Sequence, residues 1–336
     1  MRSKDLDRSR ELLLNCSRPL LVTHVAPDGD AVGSLLGLGW VLWALDKEPV
    51  LACQDPLPRR FDFLPGFDEV TDRPSGHFDL LVSLDCSDPG RMGQIGAYPG
   101  VRGAPLLNID HHLTNLEFGV ANLVDVGAVS TTQVLYRFIR ALGVPLDGRI
   151  ATCLLTGLVT DTRGFRTSNV TADVLRVAVE LMEAGAPLAV ITRNGLDRRP
   201  LGALRLWGAA FSRMEVDDGV VWVGLPLAVQ QAIGHDGCGD AGLANMLIGV
   251  EGMHVAVVFT EQEDGQVEVG FRAVPGFDVA GIALALGGGG HTLASGCLVP
   301  GPLEEAQQRV LTMLREDLAR QRGQAPVDDG RHPQSG

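Results

Sequence analysis

Short apolar runs alternate with amphipathic stretches through the first half of the chain, which is the pattern of strands separated by helices. Alternation of this kind favours an α/β fold with a doubly wound, mostly parallel sheet. We predict strands near residues 20–23, 49–53, 78–84 and 105–109, and helices near residues 30–45, 131–142, 148–159 and 171–184.

The pattern breaks around residues 194–200, and a second set of elements follows a linker helix at 201–213. This set comprises a strand pair near 215–225, a helix near 240–249, strands at 253–260 and 266–273, a helix near 278–286, a glycine-rich turn and a helix at 302–320. It indicates a second, smaller α/β domain. The predicted boundaries are 1–193 for the first domain, 194–214 for the linker, 215–318 for the second domain and 319–336 for a polar, disordered tail.

The composition is that of a globular protein, with 336 residues, 45% hydrophobic residues and a formal net charge of −13. So acidic a chain is not expected to hold long duplex nucleic acid, which needs a wide basic surface, whereas a short or mononucleotide substrate stays compatible. The six cysteines lack CxxC spacing and indicate reduced thiols. No apolar segment suits a signal peptide or a membrane helix, so we expect a soluble, cytoplasmic protein.

Four apolar runs end at acidic or imidazole side chains. Asp110-His111-His112 follows the run at 105–109, His24 follows 20–23, Asp85 follows 80–84, and Asp161 follows 154–160. Buried charge is costly unless it is paired or bound to a metal. Ligands of open α/β sheets bind beyond the carboxyl ends of the strands. We therefore predict one convergent metal site.

The segment after the first strand places His24, Asp28 and Asp30 within seven residues, around a turn favoured by Pro27 and Gly29. Carboxylate oxygens with one imidazole suit Mn²⁺ or Mg²⁺ better than structural zinc. The alternative is that Asp28 or Asp30 only caps the following helix and that His24 is a core residue.

Asp85 and Asp161 are weak signals alone, since each could simply end a strand or a helix. Together with His111 and the residues after the first strand, they supply enough ligands for two cations that share Asp85 and a bridging water. Such a pair would activate the water and clamp a phosphoryl group. Asp110 would then orient a ligating histidine, and His112 would face the phosphate. Ser130-Thr131-Thr132 is expected to cap the next helix, with substrate contact as the alternative.

A second constellation lies near the C-terminus, where Gly287 to Gly290 precede His291 and Ser295. Glycines let backbone N–H groups approach a phosphate closely. Upstream, Arg272 ends a strand with a side chain able to bind phosphate bidentately. The alternative is a loop that needs only flexibility.

These motifs together resemble the DHH phosphoesterases, in particular the stand-alone branch of oligoribonucleases (nanoRNases) and pAp phosphatases with a DHH-associated C-terminal domain. The resemblance covers about residues 5–316, and it rests on His24-x-x-x-Asp28-x-Asp30, Asp85, Asp110-His111-His112, Asp161, Gly-Phe-Arg272 and Gly287-Gly-Gly-Gly-His291-x-x-Ala-Ser295-Gly296. Gly239-Asp240-Ala-Gly-Leu-Ala-Asn245 is also similar to the family's second domain. Arg163 departs from the pattern, because relatives often have a small residue there, and this puts substrate details in doubt.

The resemblance implies an active site in an interdomain cleft with two Mn²⁺ ions, Mg²⁺ or Co²⁺ being alternatives. It assigns His24, Asp28 and Asp85 to one ion, and Asp30, Asp85, His111 and Asp161 to the other. It assigns substrate binding to Arg272, Gly288, Gly289, Gly290, His291 and Ser295, and the catalytic set to Asp110, His112, Arg272 and His291.

The implied activity is hydrolysis of short RNA or DNA oligonucleotides to mononucleotides, of pAp to AMP, or both. The alternative is hydrolysis of cyclic di-AMP or its product pApA. A RecJ-like exonuclease is disfavoured because the chain has little room for the oligonucleotide-binding domain of that branch. A family II pyrophosphatase is disfavoured because such enzymes lack the glycine–histidine signature that this chain contains. A regulatory protein without catalysis is disfavoured by the complete ligand set. A homodimer is expected by family analogy alone.

Overall fold

Two compact units, Met1–Arg198 and Arg199–Gly336, make up the computed structural model, which describes residues 3–234 and 239–324. Each unit contains its own six-stranded β-sheet. The expectation of two α/β domains is therefore confirmed. The division at residue 198 lies within the segment predicted as a linker, and the linker helix belongs to the second unit.

The elements of the first unit follow the alternating pattern of the sequence. In chain order they are α1 (Ser3–Asn15), β1 (Pro19–Thr23), α2 (Gly29–Ala44), β2 (Val50–Ala52), β3 (Val70–Thr71), β4 (Leu80–Leu84), β5 (Leu106–Asp110), β6 (Ala121–Val124), α3 (Thr131–Leu142), α4 (Gly148–Asp161), α5 (Ala172–Glu183) and α6 (Leu188–Thr192). Short 3₁₀ segments lie at Arg59–Phe61, Phe67–Glu69, Pro89–Ala97 and Pro99–Val101.

The first sheet is parallel throughout and has the strand order β3-β2-β1-β4-β5-β6. Both faces are covered, because Leu21 packs into the core that contains α2, α3 and α4, whereas Leu20 and Val22 pack against the 3₁₀ segments after β4. In this doubly wound order, successive strands are added outward on one side of β1 and then, from β4 onward, on the other side. The point between β1 and β4, where the strand order reverses, is where such folds form a ligand crevice. The residues that follow β1 and β4 are therefore placed at one opening.

Close packing of α2 on α4 depends on glycines spaced four residues apart along α2. A side chain at Gly33 would come within 2.5 Å of the Cys153 carbonyl oxygen, and one at Gly29 would collide with Thr160. On α4, a side chain at Gly157 would collide with the Asp30 carboxylate. The absence of Cβ atoms lets the two helices approach closely. This packing brings the end of α4, and hence Asp161, to the start of α2.

The second unit contains a mixed sheet with helices on both faces. Its described elements are α7 (Leu201–Phe211), β7 (Glu215–Asp217), β8 (Val220–Leu225), α8 (Leu227–Ala232), α9 (Leu243–Leu247), β9 (Val255–Glu261), β10 (Gln266–Ala273), α10 (Ala280–Ala285), β11 (Gly289–His291), β12 (Ala294–Pro300) and α11 (Leu303–Gln324). The strand order is β11-β12-β10-β9-β8-β7, with β8 and β9 parallel and the other pairs antiparallel.

Alternation along β10 separates a core face from a more open face. Val267, Val269 and Phe271 are buried in the cluster that contains α10 and α11. Glu268 is exposed and Arg272 is half-buried on the opposite face, because successive side chains of a strand point to opposite sides. Arg272 is thereby directed away from the apolar core.

Several elements differ from the prediction. β3 and β6 are short and carry polar residues such as Asn122, so no apolar run marks them. Part of the predicted glycine-rich turn is β11, paired with β12. Helix α11 continues to Gln324, beyond the predicted start of the tail at 319. Within this extension, the Gln321 side chain exchanges hydrogen bonds of 2.9 and 2.8 Å with the backbone of Asp278. The rest of the predicted tail lies outside the described residues.

Across the described ranges, no helix combines the length and the apolar character that crossing a bilayer requires.

Candidate functional site

His24, Asp28 and Asp85 form the first group of donor atoms at the opening between β1 and β4. The His24 Nε2 atom lies 3.6 Å from Asp85 Oδ2 and 3.9 Å from Asp28 Oδ1. The Nδ1 atom of the same ring lies 2.8 Å from the Val25 carbonyl oxygen. Because a carbonyl only accepts hydrogen bonds, Nδ1 carries a proton, and Nε2 is the ring atom that faces the carboxylates. Although burial opposes it, the hydrogen bond with Asp85 raises the pKa of His24 and favours a second proton on Nε2, and a bound metal would replace that proton.

Asp30, His111 and Asp161 form the second group. The His111 Nε2 atom lies 3.5 Å from Asp161 Oδ2 and 3.9 Å from Asp30 Oδ2. The His111 Nδ1 atom lies 3.4 Å from the Ala128 carbonyl oxygen, so this ring also directs Nε2 toward carboxylates. Asp161 is the last residue of α4, and Asp30 lies in the first turn of α2. Helix ends therefore supply these two acids.

Asp85 lies between the two groups and turns one oxygen toward each. Its Oδ2 atom faces His24, whereas Oδ1 lies 3.8 Å from His111 Nε2 and 3.6 Å from His112 Nδ1. The residue is 2% exposed, and its backbone φ of 61° is in the left-handed region. A non-glycine residue rarely adopts that region, and such strain is concentrated at functional sites.

The electrostatics of the cluster suit a cation. Burial, followed by the charges of Asp85 and Asp28, raises the pKa of Asp161 to about 8. Burial and the same kind of repulsion raise the pKa of Asp30 well above its usual value. Burial also opposes ionisation of Asp85, but the His24 hydrogen bond and the nearby His111 lower its pKa to about 2. Clustered carboxylates with two imidazole Nε2 atoms have the donor chemistry of a Mn²⁺ or Mg²⁺ site, and a bound cation would relieve their repulsion.

Asp110 and His112 form a pair beside this cluster. The His112 Nδ1 atom donates to Asp110 Oδ1 at 2.7 Å, and the backbone N–H of His111 donates to the same oxygen at 2.8 Å. That hydrogen bond, in spite of partial burial, raises the pKa of His112 to about 9. Asp110 therefore holds the ring of His112 directly and His111 through the main chain. His112 lies partly exposed at the edge of the cluster, and its pairing with Asp110 favours the protonated ring.

The capping interpretations of Asp28 and of residues 130–132 are compatible with the site. Asp28 Oδ1 accepts from the N–H groups of Asp30 and Ala31 at 3.0 and 3.1 Å, while the same carboxylate lies in the first donor group. Ser130 Oγ accepts from the Gln133 N–H at 3.1 Å and caps α3. One side chain can therefore stabilise a helix end and face a metal site.

Two contacts of the site were not predicted from the sequence, one by Thr131, which was expected only to cap a helix or to touch substrate, and one by Asn115. The Thr131 hydroxyl donates to Asp85 Oδ1 at 2.7 Å. The Asn115 side chain donates to Asp110 and, at 3.0 Å, to the Cys86 carbonyl oxygen. Thr131 is far from Asp85 in sequence, so no spacing rule links them, and Asn115 follows the triplet in a segment without recognisable periodicity.

The second unit holds the other predicted residues. Arg272, Gly288 and Ser295 line one groove of about 1040 Å³ on its sheet. The Arg272 Nε atom donates to Asn245 Oδ1 at 2.8 Å, which fixes the guanidinium plane. The Ser295 hydroxyl donates to the Val279 carbonyl oxygen at 2.7 Å and is buried, so its proton is used within the fold.

Gly289, Gly290 and His291 form the exposed strand β11 and are not among the residues that line the groove. Of the described residues that do line it, Arg272 carries the positive charge, while acidic side chains such as Glu268 lie along the same groove. Any anion held there would therefore depend on Arg272.

Comparisons with known proteins agree with this division. Residues 19–158 match the DHH family, N-terminal domain, and residues 227–320 match the DHHA1 domain. The bifunctional oligoribonuclease and PAP phosphatase NrnA of Thermus thermophilus is 40% identical over 320 residues, which span 92% of this chain and 93% of that protein. The chain belongs to the DHH family. The resemblance identified from the sequence motifs is thus confirmed.

Two further relatives extend the comparison. The bifunctional oligoribonuclease and PAP phosphatase NrnA of Bacillus subtilis is 30% identical over 285 residues, which span 83% of this chain and 88% of that protein. The crystal structure of an exopolyphosphatase-related protein from Bacteroides fragilis is 24% identical and superposes with a TM-score of 0.87, covering 95% of this chain and 96% of that one. The second likeness supports the fold alone.

Proposed function

We propose that this DHH family member is a metal-dependent phosphoesterase that hydrolyses short oligonucleotides to mononucleotides, pAp to AMP, or both. The observation that carries the proposal is the position of Asp85, whose two oxygens face two separate imidazole–carboxylate groups. The names of the NrnA relatives, as oligoribonucleases and PAP phosphatases, support the same substrate class.

The proposed cofactor is a pair of Mn²⁺ ions, with Mg²⁺ or Co²⁺ as alternatives. His24, Asp28 and Asp85 would hold one ion, and Asp30, Asp85, His111 and Asp161 the other, in keeping with the donor groups described above. When bound, such cations supply a water nucleophile near neutral pH and neutralise charge on the phosphate.

Protein groups would orient the substrate beside this centre. His112 is held by Asp110, and that contact raises the pKa of the imidazole to about 9, which favours the protonated form. A protonated imidazole in this position suits a non-bridging oxygen of the phosphate. Asp110 contributes by fixing the ring orientation, which we propose as its role in the catalytic set.

The second unit would bind the remainder of the substrate. We propose that Arg272 contacts a phosphate with its guanidinium group and that the backbone at Gly288, Gly289 and Gly290 approaches the same nucleotide. The Gly288 N–H donates to the Ala283 carbonyl oxygen at 2.8 Å, so the approach at that residue does not use its N–H group. His291 and Ser295 complete the proposed substrate-binding set. The net charge of −13 supports short substrates, since long nucleic acid is held by wide basic surfaces. Self-association as a homodimer stays a prediction, which light scattering tests.

A substrate panel tests the proposal. The full chain is assayed with pAp, di- to pentanucleotide RNAs, short DNA, pApA and cyclic di-AMP, with Mn²⁺ and with chelator, and specificity is compared as kcat/KM. We expect turnover of pAp or short RNA that requires the metal and is abolished in Asp85→Ala. Activity unaffected by chelation and by Asp85→Ala would contradict the metalloenzyme, and a strong preference for cyclic di-AMP would select the alternative substrate.

A further inference from the structure

Thr131, the first residue of α3, contacts carboxylates from both donor groups. Its hydroxyl donates to Asp85 Oδ1 at 2.7 Å, and its backbone N–H donates to Asp30 Oδ2 at 2.6 Å. The residue is fully buried. One side chain and its own peptide group therefore connect the end of β4 with the first turn of α2.

The N-terminus of α3 is built to receive a buried carboxylate. Ser130 caps the helix by accepting from the Gln133 N–H, and the Thr132 N–H donates to Asp30 Oδ1 at 3.0 Å. The first N–H groups of a helix have no partner within the helix, and the helix dipole favours negative charge at this end. Asp30 thus satisfies two otherwise unpaired N–H groups, one with each oxygen.

The Thr131 hydroxyl restricts Asp85 in a different way. Asp85 Oδ1 is the oxygen that faces His111, while Oδ2 faces His24. A hydrogen bond at Oδ1 holds the carboxylate plane, so the two oxygens stay divided between the groups. Hydrogen bonds to a charged group contribute more than neutral ones, and a buried carboxylate that loses its donor is left poorly compensated.

We infer that Thr131 is a positioning residue of the metal centre, holding Asp85 and Asp30 so that their oxygens converge between the two histidines. The inference rests on the proposed function, because it assumes that these carboxylates bind cations. Thr131 is fully buried, so its role would be exerted through Asp85 and Asp30. Its hydroxyl preorganises the shared carboxylate, and its N–H preorganises the neighbouring one.

The test is Mn²⁺ binding to the full chain by titration calorimetry. Thr131→Val keeps the shape and the N–H but removes the hydroxyl, and we expect it to weaken Mn²⁺ binding about 10- to 100-fold, the range typical of partners that hold metal ligands. Thr131→Ser keeps the hydroxyl and should bind within about threefold of the wild type. Activity of Thr131→Val should return largely at saturating Mn²⁺, which a general packing defect would not allow.

The matched control is Thr152→Val on α4. Thr152 is also buried, and its hydroxyl donates to the Gly148 carbonyl oxygen within its own helix. We expect this variant to bind Mn²⁺ as the wild type does. Melting temperatures without metal verify that the two valine variants are folded to a similar degree.

Each outcome bears on a different claim. If the wild type binds no Mn²⁺, the proposed metal centre itself fails. If the wild type binds Mn²⁺ and Thr131→Val binds it equally well, the positioning role of Thr131 is overturned and the metal centre stands. Should Thr131→Val not fold, the pair Thr131→Ser and Thr131→Ala decides, since both lose the methyl group and only the alanine loses the hydroxyl; equal affinities in that pair overturn the inference.

Discussion

The metal-site cluster of the first unit and the groove of the second unit are built in opposite ways. His24, Asp30 and Asp85 are 4%, 1% and 2% exposed, and main-chain groups or other side chains hold each of them. In the groove of the second unit, Arg272 is half-buried and Glu268 is exposed. The neighbouring strand β11, which does not line the groove, is exposed along its whole length. Buried and hydrogen-bonded side chains such as His24, Asp30 and Asp85 are organised before a ligand arrives, whereas an exposed segment is completed by the ligand.

The first unit should therefore depend on a metal ion for stability, and the groove of the second unit should determine substrate affinity. Four carboxylates at the start of α2, after β4 and at the end of α4 meet in the first unit. Burial, together with repulsion from neighbouring carboxylates such as Asp85, raises the pKa of Asp30 and of Asp161. The first unit should therefore gain stability from a cation. The groove of the second unit carries no comparable cluster among its described residues, so changes there should affect substrate affinity and leave metal binding intact.

Removal of the metal should produce the largest difference between the two units. We expect chelation of the full chain to abolish activity and to lower hydrogen-exchange protection in β1, α2 and β4, while β9 and β10 stay protected. At a free Mn²⁺ concentration about 100 times the Kd, binding stabilises the native state by about 2.7 kcal/mol. Hydrogen exchange measured by mass spectrometry, with and without Mn²⁺, locates the effect. Equal loss of protection in both units would show that the metal does not act on the first unit specifically.

The next largest effect is expected for Gly157→Ala, which tests whether the metal-site cluster depends on the packing of α2 on α4. A Cβ at residue 157 would collide with the Asp30 carboxylate and lie 2.5 Å from the Thr132 hydroxyl. We expect a loss of about 1–3 kcal/mol in the free energy of unfolding, with Mn²⁺ affinity reduced as Asp30 moves. Denaturant unfolding and calorimetry measure the two effects.

The control for Gly157→Ala is Gly202→Ala on α7. A Cβ at residue 202 would have no heavy atom within 4 Å. Alanine has a higher helix propensity than glycine, so this variant should gain up to about 1 kcal/mol. A similar loss of stability in both variants would show that glycine packing between α2 and α4 is not what holds Asp30.

Strand ends explain why much of the site could be predicted from the sequence. Parallel strands end at the same edge, so His24, Asp85 and His111, each placed after an apolar run, had to converge once the sheet was inferred. The turn after the first strand and the apolar run at 154–160 had indicated Asp28, Asp30 and Asp161, and the family resemblance divided the ligands between two ions. The site therefore followed from patterns that are local along the chain, combined with one rule about sheets.

Hydrogen bonds between distant segments could not be predicted from local sequence patterns. The contact of Thr131 with Asp85 and that of Asn115 with Cys86 depend on the placement of whole elements, which the sequence does not encode by any short spacing. Strand β6 was missed because Asn122 interrupts its apolar character, although its position at the sheet edge is clear in the structure. The glycine run was a partial success, since it predicts close backbone approach but not whether the approaching atoms belong to a ligand or to the fold.

Arg272→Ala should weaken substrate binding in the groove without affecting the metal site. Loss of a charge-assisted hydrogen bond costs about 1.5–3 kcal/mol, so we expect KM to rise about 10- to 100-fold while Mn²⁺ affinity stays unchanged. Arg272→Lys keeps the charge but loses the Nε contact with Asn245, and should be intermediate. Steady-state kinetics and calorimetry are the measurements, and Arg205→Ala, at an exposed position of α7, is the control. Weakened Mn²⁺ binding in Arg272→Ala would contradict the separation of the two regions.

The smallest predicted effect distinguishes two neighbouring glycines of the same run. A Cβ at Gly288 would collide with the Gly296 carbonyl oxygen and lie 2.5 Å from the Cys297 Cβ, whereas one at Gly289 would have no heavy atom within 4 Å. Gly288→Ala should therefore cost about 1–3 kcal/mol of stability, and Gly289→Ala should change stability by less than about 0.5 kcal/mol. If a nucleotide approaches the backbone at Gly289, the added methyl group raises KM on the order of fivefold, about 1 kcal/mol of binding. An unchanged KM in a stable Gly289→Ala variant would mean that no ligand comes close to this residue, and the glycine run would then serve the packing of β12 alone.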